Sequence, residues 1–185
     1  MPEGYSSSDR SMGQIQTRFL VQQRERIISM NANFIKYIIK ICKEDKGTRA
    51  ELRRADKGAN SWRGLSIVVS FGENIINKDK RMIYSLIISS IARSGIDSDG
   101  GSTLGGAFKK LKANGNISNN SAELRLRRLL SCRSTSEVLR VLQKSMSILE
   151  SNSDIKYSAL LHDLLNFDTD RQEQIKTVWA QDFYK

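Results

Sequence analysis

Apolar residues recur along this chain at the spacing of helices. Between Phe34 and Cys42 they return every three or four residues, which places them on one helical face. The same period from Lys78 to Arg93 predicts a further helix. The stretch from Leu65 to Phe71 is short, apolar and β-branched, so its pattern fits a strand and a buried helix equally well.

Capping signals follow the first of these helices. Gly47 is predicted to end it. Thr48 is predicted to be the N-cap of the next helix, because Glu51 follows three residues later and completes a capping box.

The second half of the chain is predicted to be a succession of helices. Ser94 to Gly101 is rich in glycine, serine and aspartate, which predicts a loop. Beyond it, the helical period predicts five segments at Ser102 to Ala113, Asn119 to Cys132, Ser134 to Leu149, Ile155 to Phe167 and Thr169 to Phe183. No alternation of period two interrupts them, so the predicted fold class is all-α.

The loop divides the chain into two predicted small helical bundles that pack together. We place an N-terminal bundle at residues 34–97 and a C-terminal bundle at residues 98–185. Residues 1–33 form a predicted N-terminal extension, partly disordered or helical.

The balance of charge indicates a polyanionic partner. The 185 residues carry 30 lysines and arginines against 20 aspartates and glutamates, a formal net charge of +10. Leu104 to Arg133 holds seven basic residues and one acidic residue, whereas Glu150 to Lys185 holds four basic and seven acidic residues. A basic middle with an acidic tail predicts one face for phosphate and another for protein. An anionic membrane surface is the alternative that net charge alone leaves open.

Other features favour a cytoplasmic protein without a membrane partner. The most apolar window, Met82 to Ala92, is far shorter than the roughly 20 residues that span a bilayer. The N-terminus lacks the basic start and apolar run of a signal peptide. Cys42 and Cys132 are far apart in the sequence, which indicates neither a disulfide framework nor a zinc site.

No set of residues suits catalysis. His162 is the only histidine, and its apolar neighbours favour a position at a helix surface or core edge. The carboxylate pairs Glu44–Asp45 and Asp97/Asp99 lie in loop-like sequence without metal-ligand spacing and are interpreted as solvated turns. Acid–base and nucleophilic catalysis both need paired groups. We therefore expect no enzymatic activity, no bound metal and no cofactor.

Two groups of basic residues are the candidate nucleic-acid-binding site. The first consists of Arg49, Arg53, Arg54 and Arg63. The second consists of Lys109, Lys110, Lys112, Arg125, Arg127, Arg128 and Arg133. In the first group Glu51 and Asp56 could neutralise part of the charge, so an ion-paired surface helix is an equal alternative. The second group has only Glu123 nearby, so its cations require external phosphate or an acidic protein surface.

The arginines of the second group surround an apolar stripe on one predicted helix. The stripe consists of Ala122, Leu126, Leu129 and Leu130. Arg125 and Arg127 flank it and Arg128 lies opposite. Because a guanidinium grips phosphate oxygens through paired donors, phosphate is favoured over acidic protein as the partner.

The aromatic residues do not alternate with the cations. Trp179 shares helical spacing with Val178 and Phe183, which predicts a core stripe, and Tyr37 is interpreted in the same way. Base stacking is therefore not predicted, and contact with the nucleic-acid backbone is.

Several phrases of the sequence, taken in order, resemble one family. They are GTRAELRRA at 47–55, LGGAF at 104–108, LRRLL at 126–130, YSALLHDL at 157–164 and VWAQDFY at 178–184. Together they resemble CasB, the small subunit of the type I-E CRISPR interference complex Cascade. The family often has a basic residue where Gly106 stands, so that role has passed to Lys109 or Lys110 or is lost.

The resemblance implies an all-helical subunit of two bundles, present in two copies along the inner face of Cascade. It implies contacts with other Cascade subunits, with the guide RNA backbone, and with the target and displaced DNA strands of the R-loop. Guide pairing would then supply the sequence specificity.

Two alternatives remain open at this point. One is a free-standing helical DNA-binding regulator that uses Asn119 to Cys132 as its recognition helix, although few residues there are placed to read bases. The other is a scaffold subunit whose cations meet acidic protein.

Overall fold

The described part of the chain consists of helices joined by turns and loops. The computed structural model describes residues 29–57, 62–115, 118–152 and 154–185, and within these ranges it contains nine helices and no β-strand. The predicted all-α class is confirmed. Residues 1–28, which include most of the predicted N-terminal extension, lie outside the described residues.

The helices follow the predicted order. In the second half, every boundary falls within three residues of its prediction. The stretch from Leu65 to Phe71, whose pattern fits a strand and a helix equally well, is helical up to Ser70 and belongs to α3. The helices are α1 (29–44), α2 (Lys46–Leu52), α3 (Trp62–Ser70), α4 (Lys78–Ser94), α5 (Leu104–Ala113), α6 (Asn119–Leu130), α7 (Thr135–Asn152), α8 (Tyr157–Leu165) and α9 (Gln172–Tyr184).

Asp45, rather than Thr48, is the N-cap of α2. Its Oδ1 atom accepts hydrogen bonds from the amides of Gly47 at 2.8 Å and Thr48 at 3.0 Å. The Thr48 hydroxyl donates to Asp45 Oδ2 at 2.5 Å, and these bonds lower the pKa of the Asp45 carboxyl. The predicted stop and cap at Gly47 and Thr48 were therefore wrong, because one carboxylate already satisfies the unpaired amides at this helix start.

The predicted loop after α4 is bound to the start of α8. Gly95 ends α4 in the left-handed conformation, with φ 66°. Asp99 accepts bonds from the amides of Tyr157 at 2.6 Å and Ser158 at 3.3 Å, so it caps α8 from a distant part of the chain. Its interpretation as a solvated turn residue was wrong. Asp97 does lie at the surface, 2.9 Å from Lys43.

One apolar core includes side chains from both predicted bundles. Helix α4 lies at its centre, where Leu86, Ile87 and Ile91 are fully buried, and it packs against α7 and α8 as well as α2 and α3. The division of the chain at residue 98 stays a prediction. Among the described helices, none combines the length and apolarity that crossing a bilayer requires.

Arg93, near the end of α4, connects three parts of the fold. Its Nη2 and Nε atoms lie 2.8 and 2.9 Å from the Glu150 carboxylate on α7. Its Nη1 atom lies 3.0 Å from Asp56 and donates to the carbonyl of Arg53 at 3.2 Å. The guanidinium therefore fixes the turn after α2, which carries part of the first basic group, against α4 and α7.

Asp163 gives the fold a specific dependence on pH. Its Oδ2 atom accepts a bond from the Trp179 indole at 2.7 Å, and burial raises its pKa to about 6. A raised pKa means that the folded state disfavours the carboxylate. The contribution of Asp163 to the free energy of unfolding therefore falls as pH rises from about 4 to about 6.

We expect Asp163→Asn to be more stable than the wild type at pH 7 by up to about 3 kcal/mol, because a neutral amide oxygen can still accept from Trp179. The advantage should shrink as pH falls and disappear below about pH 3, where the carboxyl is protonated in both states. Urea unfolding of both proteins across this range measures it. A difference that does not change with pH would contradict the assignment.

Candidate nucleic-acid interface

Helix α6 buries the predicted apolar stripe and keeps its arginines outside the core. Ala122, Leu126 and Leu129 are fully buried, and Leu130 is partly buried. Ser118 caps the helix through its hydroxyl, which accepts from the Ser121 amide at 3.3 Å. The stripe fixes the rotation of α6 and thereby sets where each arginine points.

Arg125 points toward α7. Its Nη1 atom lies 3.3 Å from the Ser145 hydroxyl and 3.5 Å from the carbonyl of Lys144. The side chain is half-buried. Of the three arginines on α6, it is the least available for phosphate.

Arg127 lies on the other flank of α6, beside the end of α9. Its Nη2 atom is 2.6 Å from Glu123, and the Tyr184 hydroxyl donates to the same carboxylate at 3.2 Å. Tyr184 and then Glu123 raise the pKa of Arg127. The side chain is still 65% exposed, so its remaining donors face solvent.

Three cations of the second group have no internal partner in the described ranges. Arg128 lies on the outer face of α6, Arg133 follows the helix, and Lys109 lies on α5. All three are exposed, and none of their charged groups makes an ion pair or a hydrogen bond with a described residue. They are the groups most available to an external anion.

The other two lysines of α5 have internal contacts. Lys110 lies 3.3 Å from Asp154, and the Lys112 ammonium lies 5.7 Å from the centre of the Phe183 ring. The expectation that this group cannot pair internally was therefore wrong for Lys110 and Arg127. Asp154 is 44 residues away from Lys110 in the sequence, so local counting of charge misses it.

The end of α9 brings cations of α5 and α6 together. Lys112 lies over Phe183, and Arg127 is paired beside the adjacent Tyr184. We call the solvent-exposed sides of α5 and α6, together with Arg133 just after α6, the α5–α6 surface. Its members are Lys109, Lys110, Lys112, Arg127, Arg128 and Arg133.

Two arginines of the first basic group form hydrogen bonds with the last turn of α4. The Nε atoms of Arg49 and Arg53 both donate to the carbonyl of Ala92, at 2.9 and 3.2 Å. Cations favour the last turn of a helix, where carbonyls lack partners. A Cβ atom added at Gly95 would lie 2.2 Å from the guanidinium of Arg49, so glycine leaves room for this contact.

The two acids near this group are both paired, one with a member of the group and one with Arg93. Glu51 lies 3.0 Å from Arg63, which also donates to the Thr48 hydroxyl at 2.5 Å. Asp56 is held by Arg93. Arg54 is exposed and has no partner for its charge among the described residues. An ion-paired surface is thus correct for Arg63, whereas Arg49 and Arg53 have backbone partners instead.

The described residues include no group of three or more histidine, cysteine, aspartate or glutamate side chains placed to hold a metal ion. His162 is half-buried on α8. It lines a small cavity of about 120 Å³ with Asp163 and Arg171.

Trp62 is a surface aromatic that the sequence interpretation missed. It is 69% exposed at the start of α3. Trp179 and Phe183 are buried as predicted, but Tyr37 and Val178 are exposed by 41% and 39%, so their interpretation as core residues was wrong. Tyr37 packs at the surface against the ring of Phe71, with centroids 5.3 Å apart.

An all-helical chain with a basic surface on two adjacent helices is the class of protein that these observations define. The sequence model of the CRISPR-associated protein Cse2 family matches residues 48–184. The chain belongs to this family, and the resemblance to CasB is confirmed. No curated protein sequence matches the chain significantly.

Solved structures have the same fold. A Cse2-family protein from Thermus thermophilus aligns with a TM-score of 0.63 at 21% identity, covering 83% of this chain and 97% of its own. A chain of a CRISPR RNA-guided surveillance complex aligns with a TM-score of 0.68 at 16% identity, covering 85% and 93%. CasB from M. ruber aligns with a TM-score of 0.63 at 20% identity, covering 84% and 92%.

Proposed function

We propose that this chain is a non-catalytic, nucleic-acid-binding subunit of a type I-E CRISPR Cascade ribonucleoprotein. In this role it stabilises the hybrid of guide RNA and target DNA, and the displaced DNA strand, through backbone contacts. The observation that carries the proposal is the α5–α6 surface, where Lys109, Arg128 and Arg133 are exposed without internal partners in the described part of the chain.

The chemistry of this surface favours phosphate over an acidic protein. Exposed guanidinium groups offer paired donors that match phosphate oxygens. Of the acids near them, Glu123 and Asp154 are already paired with Arg127 and Lys110, and Glu137 accepts a hydrogen bond from the backbone amide of Arg133, so six cations face three acids. A net positive surface therefore remains even after internal ion pairs are formed, and it attracts nucleic acid irrespective of sequence.

Membership of the family supports the assembly. A chain of a CRISPR RNA-guided surveillance complex shares this fold. By this similarity we assign other Cascade subunits and a second copy of the chain as partners. In such a complex the exchange of a DNA duplex for an RNA–DNA hybrid is nearly balanced, so a few backbone contacts decide how long the R-loop stays open.

We expect binding to be electrostatic and tolerant of sequence. If about four phosphates are neutralised, the log–log dependence on salt should have a slope of about −2.8 to −3.6. A fourfold rise in salt should then weaken binding roughly 50- to 150-fold. Filter binding of the full chain to unrelated DNA and RNA sequences at several salt concentrations measures the slope.

The same measurement separates the alternatives. A free-standing regulator would prefer one sequence, and a scaffold would retain neither nucleic acid. A slope near zero would contradict the proposal, as would a strong preference for one sequence.

A further inference from the structure

Trp62 exposes an indole where the fold does not need one. The chain has two tryptophans, and the other, Trp179, is fully buried. Trp62 is 69% exposed, so most of its large apolar surface remains in contact with water. Tryptophan is enriched at binding interfaces, which makes this exposed indole a candidate contact.

The start of α3 lies against the turn that follows α2. A Cβ atom added at the buried Gly64 would lie only 3.5 Å from the Cβ of Ala55. Arg63 reaches back to α2, where it contacts Thr48 and Glu51. These contacts place the first turn of α3, which begins at Trp62, beside the turn that carries Arg54 and Lys57. We call this the α2–α3 corner and define it by Arg54, Lys57, Trp62 and Arg63.

The charge of this corner is positive, since its acids are already paired. Glu51 lies 3.0 Å from Arg63, and Asp56 lies 3.0 Å from Arg93. Arg54 and Lys57 are exposed, and neither charge has a partner in the described ranges. A protein partner would need acidic groups here, whereas a nucleic-acid strand supplies phosphates and a flat base together.

We propose that Trp62 stacks on an unpaired nucleobase of DNA or RNA while Arg54 and Lys57 hold the adjoining phosphates. The inference rests on the proposed function and adds to it a preference for unpaired strands, because a duplex keeps its bases stacked on one another. Stacking on an indole tolerates any base, as every base has a π face. It therefore does not conflict with guide-determined specificity.

Intrinsic fluorescence of the full chain tests this directly. Oligo(dT) and oligo(U) of about 16 nucleotides, the upper site size of a single-strand binding fold, are titrated alongside a duplex of equal length. We expect both single strands to quench the Trp62 emission and the duplex to leave it nearly unchanged. Unequal quenching by the two would identify DNA or RNA as the preferred source of the base. In Trp62→Phe only the buried Trp179 emits, so the quenching should disappear.

Affinity gives a second measurement. Trp62→Ala should weaken single-strand binding about 5- to 100-fold and leave duplex binding unchanged, whereas Trp62→Phe should retain most of the affinity. Ile76→Ala, at another exposed apolar residue, is the matched control and should change neither.

The outcomes separate this inference from the proposed function. If single strands bind without quenching Trp62, the stacking is wrong and the basic surface stands. If nothing binds, both are wrong. If Trp62→Ala instead removes the subunit from its complex while oligonucleotide affinity is unchanged, the corner binds protein and the stacking is overturned.

Discussion

Replacing Gly105 by alanine is expected to destabilise the protein by about 2–4 kcal/mol. Gly105 lies in the first turn of α5, where that helix meets α9. An added Cβ atom would lie 1.9 Å from the backbone oxygen of Trp179 and 2.7 Å from its carbonyl carbon. Backbone atoms cannot move aside as a flexible side chain would, so the two helices must separate.

The neighbouring glycine provides a matched control. A Cβ atom at Gly106 would lie 3.5 Å from the Thr103 hydroxyl, which is an ordinary contact. Gly106→Ala should therefore stabilise the helix by up to about 1 kcal/mol through its greater helix propensity. Urea unfolding measures the free energy of unfolding of both variants, and the dependence of that free energy on urea concentration is compared between them. Equal effects of the two substitutions would show that α5 and α9 do not approach as closely as described.

This contact has a consequence for the candidate site. Thr103 donates to Asp182 at 2.7 Å, and Lys112 lies over Phe183, so α5 and α9 are joined at both ends of the α5 helix. A Gly105→Ala protein that still folds should lose nucleic-acid affinity as well, because Lys112 would no longer be held over Phe183, next to the Tyr184 that contacts the Glu123–Arg127 pair.

The spacing of apolar residues was sufficient to predict the fold class and the order of the helices, because the burial of one helical face leaves a pattern that is local in the sequence. It could not decide Leu65 to Phe71, since a short apolar run suits a strand or a helix until its neighbours are known. The contacts of Gly64 with Ala55 and Ile88 provide that information. The sequence pattern also could not identify the cap of α8, because Asp99 lies 58 residues before Tyr157, whose amide it accepts from.

The candidate site was predicted less completely, since electrostatic partners need not be near in sequence. The pairing of Arg127 with Glu123 is local, and its i,i+4 spacing could have indicated it. The bonds of Arg49 and Arg53 to Ala92 are about forty residues apart in sequence and had no such signal. Trp62 had one partial signal, its position directly before Arg63, but its exposure depends on how α3 packs.

Reversing the charges of Arg127 and Arg128 together is expected to weaken nucleic-acid binding by about 100-fold, because two charge-assisted contacts worth roughly 3 kcal/mol in total are lost. Arg128→Glu alone should account for more of the loss than Arg127→Glu, since Arg127 already pairs with Glu123. The fold should remain, because neither side chain belongs to the buried stripe of Leu126 and Leu129. The salt slope should fall by about one for each phosphate contact removed.

A matched double reversal tests whether position or net charge is responsible. Lys36 and Lys40 are exposed on α1, and converting both to glutamate changes the net charge by the same amount. If net charge alone attracted nucleic acid, both double variants would bind equally weakly. We expect the α1 variant to retain most of its affinity.

In the assembled complex, the Arg127→Glu/Arg128→Glu change should spare guide-RNA binding and shorten the lifetime of the R-loop. The near balance between duplex and hybrid means that the loss of about 3 kcal/mol of backbone contact shifts the open state substantially. A single-strand-specific reagent, applied to complexes of normal stoichiometry, measures the fraction of opened DNA over time. An unchanged lifetime would mean that α6 does not hold DNA. Loss of the mutant subunit from the complex would mean that these arginines bind protein, since a backbone-binding surface should leave assembly intact.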